Sequence, residues 1–80
     1  MKIRNEEERA MFEKTIDRCH RTIWLETSRG DSYDLKKPEE RRMGIAEMIN
    51  ATEYDEPELY VSCIEDQMMV FEFLAARKAS

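Results

Sequence analysis

The stretch from Pro57 to about Lys78, PELYVSCIEDQMMVFEFLAARK, constrains this chain more than any other. It is the most apolar part of the sequence and reads as one long helix. Wound at about 100° per residue, Leu59, Tyr60, Val61, Cys63, Ile64, Met68, Val70, Phe71, Leu74 and Ala75 fill a broad arc. That arc spans roughly 200°, about twice the stripe of an ordinary surface helix. Such a helix needs covering from two sides, and two amphipathic segments precede it.

The first of these runs over about 5–28. Asn5 is a plausible N-cap, and Glu6, Glu7 and Glu8 suit the positive end of a helix dipole. Phe12, Ile16, Cys19 and Ile23 recur at helical spacing. Arg9 with Glu13, and Asp17 with Arg21, are opposite charges four apart. Gly30 then suits the left-handed turn that closes a helix. The second segment starts at Pro38, with Glu39 and Glu40 in its first turn, and runs over 38–51 with Ile45, Met48 and Ile49 inward. The last covers 57–78. The expected fold is therefore all-α, a three-helix bundle in the order long, short, long, folded as a single domain over 1–80.

An α+β alternative competes in one region. Residues 22–35, TIWLETSRGDSYDL, place β-branched and aromatic residues on both sides of a glycine turn, which is how a hairpin reads. Leu59 to Val61 then becomes a further short strand, and Ser62 with Glu65, spaced as a capping box, starts the last helix later.

Composition bounds the function. The 80 residues are 41% hydrophobic and 39% charged, which suits a soluble, highly charged helical protein, and the presence of only two glycines and two prolines argues against a many-stranded β architecture. A net charge of −5 disfavours direct contact with nucleic acid or an anionic membrane, both of which favour a positive surface. No apolar run has signal-peptide or membrane-spanning length, so a cytoplasmic protein is expected. Cys19 and Cys63 fall on apolar faces and read as buried free thiols.

Chemistry finds little support. His20 is the only histidine, and Asp17 three residues before it cannot complete a ligand set of three or four. Cys19 and His20 are neighbours on a helix and project about 100° apart, poor geometry for proton transfer. Arg29-Gly30-Asp31 and Asn50-Ala51-Thr52 match three-letter adhesion and glycosylation patterns of low specificity. No enzyme, metal site, cofactor or small-molecule substrate is expected.

The remaining hint is apolar surface. Met69 and Phe73 fall opposite the wide arc, among Glu58, Ser62, Glu65 and Glu72; Met11 lies off the first seam and Trp24 at its margin. These residue types are favoured at interfaces. Met69, Phe73, Trp24 and Met11 are therefore the expected anchors for another protein, or for a second copy in a homodimer. The function expected is that of a small acidic adaptor, regulator or inhibitor that occupies a partner's surface. The alternative is an acidic decoy, of phage or mobile-element type, that inhibits a nucleic-acid-binding protein. It draws on Glu6, Glu7, Glu8, Glu13 and Asp17, and on Glu53, Asp55, Glu56, Glu58, Glu65 and Asp66. Gln67, central in the apolar arc, must find a hydrogen-bond partner and is a candidate for fixing register.

Overall fold

The computed structural model describes residues 1–79, with side chains over 1–77. Its elements are α1 (Glu6–Arg18), β1 (Ile23–Glu26), β2 (Ser32–Asp34), α2 (Pro38–Ile49), β3 (Glu58–Val61) and α3 (Ile64–Ala79). The strands form one antiparallel sheet in the order β2-β1-β3. The all-α three-helix bundle is thus overturned, and the α+β alternative fits, including the hairpin within 22–35 and the short strand at Leu59 to Val61.

The reason lies in the alternation of Ile23-Trp24-Leu25-Glu26. Ile23 and Leu25 are buried while Trp24 and Glu26 are exposed, a period of two that a helix cannot satisfy. Gly30 does take a positive φ of 89°, but in the hairpin turn rather than at a helix end. There the Thr27 N–H donates to the Asp31 carbonyl at 2.9 Å, and the Gly30 N–H to the Thr27 carbonyl at 3.0 Å.

Helix α1 starts as expected, with the Glu8 N–H donating to Asn5 Oδ1 at 2.9 Å. It ends ten residues before the expected 28, because distant groups satisfy its last turn. Lys36 Nζ donates to the carbonyls of Ile16 at 2.8 Å and Cys19 at 2.6 Å. The next two N–H groups, of His20 and Arg21, each donate to the Asp66 carboxylate at 2.9 Å. Asp17 consequently pairs with Arg41 at 2.8 Å instead of Arg21. Helix α2 is closed in a similar way, by Lys2 Nζ donating to the Ile49 and Ala51 carbonyls.

The core gathers where the helices meet the Ile23 and Leu25 face of the sheet. Phe12 and Ile16 from α1, Ile45 and Met48 from α2, Phe73 from α3, and Leu35 and Ile3 fill it. Gly44 lets α2 approach closely, since a Cβ there falls 2.7 Å from Leu35 Cδ2.

Helix α3 corrects the opening expectation most. It begins at Ile64, not Pro57, so Leu59, Tyr60 and Val61 belong to the sheet. Its buried side holds Asp66, Val70 and Phe73, while Ile64, Met68 and Phe71 are exposed. Half of the apolar arc expected to be buried is on the surface, and Phe73, expected to be exposed, is in the core. Ser62 and Glu65 are not the capping pair. Cys63 immediately precedes the helix, with its thiol hydrogen-bonded to Asp66.

Candidate protein-binding surface

The four expected anchors divide. Phe73 is 4% exposed and packs edge-to-face on Phe12, with ring centroids 5.5 Å apart. Met11 and Met69 are half-buried against the same core. These three come together along a shallow groove of about 250 Å³ between α1 and α3, between Lys14 and Glu72. Phe73 therefore presents almost no surface to a partner. Trp24 lies apart from them, 44% exposed on the outer face of the sheet.

The exposed apolar surface is elsewhere. Ile64, Met68, Phe71 and Ala75 follow one another at spacings of four, three and four along α3, and all are exposed. That spacing keeps them on one stripe of the helix. The signal was present in the sequence but belonged to an arc assigned to the core. Beside this stripe, between α3 and β3, runs a groove of about 480 Å³ lined by Leu59, Val61, Val70, Phe71, Leu74 and Gln67, among others.

Strand β3 is an edge of the sheet, and its hydrogen bonding can be followed residue by residue. The Leu35 N–H donates to the Ile23 carbonyl at 2.9 Å, and Thr27 bonds Asp31, so the odd-numbered residues of β1 turn toward β2. Trp24 and Glu26 therefore turn toward β3, opposite Tyr60 and Glu58. Leu59 and Val61 direct their backbone groups out of the edge. Gln67 Nε2 donates to the Val61 carbonyl at 3.0 Å, and the Met1 amino group donates to the Pro57 carbonyl. Gln67 thus finds its partner at the sheet edge, in an exposed position. The N–H and carbonyl of Leu59 are left without a partner among the described residues.

The outer face of the sheet pairs Trp24 with Tyr60 and Glu26 with Glu58 across the strands. Tyr60 is 47% exposed, and its hydroxyl donates to Glu58 Oε2 at 3.0 Å. Glu58 and then Glu26 hold that hydroxyl above the usual tyrosine range, since a phenolate beside two carboxylates is disfavoured. Glu56 borders the same patch.

The acids of α1 are largely neutralised. Arg4 pairs with Glu8, Arg9 with Glu6 and Glu13, and Arg41 with Asp17. The first of the two acidic regions is thereby mostly satisfied within the chain. Asp66 is fully buried: burial pushes its carboxyl up, but the N–H groups of His20 and Arg21 and the Cys63 thiol outweigh this and hold it below the usual range.

Chemistry gains no foothold at the cysteines. Cys19 is buried, donates to the Thr15 carbonyl at 3.2 Å, and has its thiol pushed up by burial and then by Asp66. Cys63 is half-buried. His20 lies beyond the end of α1, in an exposed position. Among the described residues no group of three His, Cys, Asp or Glu is placed to hold a metal ion, and no helix is long and apolar enough to cross a membrane. No protein-family model, curated protein or solved structure matches this chain.

Proposed function

We propose that this chain is a small acidic protein-interaction domain, working in the cytoplasm, that acts by occupying a partner's surface with the α3 stripe and the adjoining edge of β3. The carrying observation is the exposure of Ile64, Met68 and Phe71 at successive turns on one side of one helix. Scattered apolar residues on a surface need no explanation, but a continuous stripe beside an apolar groove is the kind of patch that marks an interface. Covering each such side chain is worth about 1.5–3 kcal/mol before the costs of association are subtracted. The acids around β3 steer an approaching partner and favour basic surfaces. The decoy alternative has less to draw on, because the acids of α1 are paired with arginines.

The test is capture from the source cells with the intact chain, beside Phe71→Asp and Met11→Asp. A specific partner retained by Met11→Asp and lost with Phe71→Asp is the expected result. The same proteins recovered by all three would sink the proposal.

A further inference from the structure

The edge of β3 separates two chemistries, and this separation describes what can lie against it. Side chains alternate along a strand, so a strand added beside β3 sends every second residue to each face of the sheet. On the inner side those residues enter the groove between Leu59, Val61, Phe71 and Leu74. On the outer side they meet Glu58 and Tyr60, with Trp24 and Glu26 one strand further in. An added strand lies about 4.8 Å from β3, so a long side chain upon it reaches that second row.

Resting on the interaction reading above, we infer that the occupant of this edge is an extended segment of a partner protein in which basic residues alternate with aliphatic ones. It joins the sheet as a fourth strand. The outer face is built for cations. Glu26 and Glu58 have no Lys or Arg partner among the described residues, and Glu56 has the Met1 amino group at 3.3 Å. Trp24 and Tyr60 offer aromatic faces beside those carboxylates, an arrangement that attracts guanidinium and ammonium groups. The inner groove is lined by apolar side chains apart from Gln67 and Tyr60, the Met1 amino group at its border being engaged by Pro57 and Glu56, and it takes aliphatic side chains.

A second copy of the chain fits less well. Pairing two β3 strands through Leu59 with their inner faces aligned sets Tyr60 of each copy against Glu58 of the other. It brings further carboxylates to a negative face and no cation. Backbone pairing is confined to Leu59 and the Val61 N–H, because Gln67 and the Met1 amino group already hold the flanking carbonyls. Side-chain alternation therefore supplies most of the selectivity.

Trp24 is the only tryptophan, so its emission reports on this face directly. The full chain is titrated with a synthetic peptide of alternating arginine and valine. The controls are a peptide of the same composition with arginines and valines in separate blocks, an alternating glutamate–valine peptide, and the first peptide N-methylated at alternate amides in either phase. The alternating arginine–valine peptide binds and shifts Trp24 emission. The block peptide and one of the two methylated peptides bind about tenfold more weakly or worse, a difference of about 1.4 kcal/mol, and the glutamate peptide does not bind. Glu58→Lys, on an exposed position, weakens the first peptide similarly without lowering thermal stability.

Equal binding of the block and alternating peptides would reduce the effect to charge attraction and overturn the inference. So would failure of every peptide to bind. If the peptides fail while the partner sensitive to Phe71→Asp is still captured, the basic strand falls and the interaction domain stands. A concentration-dependent dimer in sedimentation, abolished by Leu59→Pro, would place a second copy on the edge and also overturn it.

Discussion

Phe71 and Phe73 stand two residues apart on the same helix and have opposite surroundings. Phe73 is 4% exposed and rests on Phe12; Phe71 is 66% exposed at the lip of the β3 groove. Both are apolar, both adjoin Glu72, and the helix is regular through both. The difference comes from what faces each side. Helix α1 covers the Phe73 side, whereas the sheet stops at β3 and leaves the Phe71 side uncovered. In a domain this small, three strands and three helices do not enclose every apolar face of the last helix. The uncovered side is therefore the best place to look for a partner.

Truncation should separate the two sides sharply. Phe73→Ala removes a packed aromatic pair and leaves a cavity, and urea titration should show a loss of about 3–5 kcal/mol. Asp66→Ala acts on the same buried side by removing the carboxylate that receives the N–H groups of His20 and Arg21. A loss of about 2–4 kcal/mol is expected, in the range for breaking charge-assisted hydrogen bonds in the interior.

That contribution depends on pH in a defined sense. The folded carboxyl of Asp66 titrates below its unfolded value. Its stabilisation is therefore complete above about pH 4, near the unfolded carboxylate range, and is lost as pH falls through the folded value. Wild type and Asp66→Ala should converge in stability on acidification below that point. A gap that stays constant would show that the carboxylate's charge is not what matters.

Gly44→Ala should have a smaller effect, a net loss of about 1–2 kcal/mol, with overpacking against Leu35 and Leu25 exceeding the gain in helix propensity. A rise in melting temperature would mean that the α2 contact yields more easily than its buried neighbours suggest. The smallest effect should be Phe71→Ser, within about 0.5 kcal/mol of wild type. A loss comparable to that of Phe73→Ala would break the contrast between the two sides and require Phe71 to be part of the fold's own core.

The sequence made some of this legible and not the rest, for identifiable reasons. The start of α1 at Asn5 and that of α2 at Pro38 depend on local hydrogen bonding and a fixed backbone angle, and both appear where the residues indicate. The hairpin was legible as an alternative, because Ile23-Trp24-Leu25-Glu26 alternates while also continuing the helical seam of Phe12, Ile16 and Cys19. Two periods overlap there, and pattern alone could not rank them. Trp24 is exposed, as expected, but Phe73 was placed outside and Met68 and Phe71 inside. The apolar residues from Cys63 to Ala75 point that way with or without Leu59, Tyr60 and Val61, so the helical pattern alone favours the wrong side.

By itself, then, the sequence determined the starts of α1 and α2, the acidic balance and the presence of more apolar surface on the last helix than one neighbour can cover. The tertiary structure decided where α1 ends and which side of α3 is buried. The end of α1 is set by Lys36 and Asp66, which lie 17 and 47 residues beyond Cys19. No local pattern encodes those bonds, and a helix remains the natural reading until they form. The orientation of α3 follows from the same contact: Asp66 must face the end of α1 to receive its N–H groups, and that turns Val70 and Phe73 inward and Ile64, Met68 and Phe71 outward.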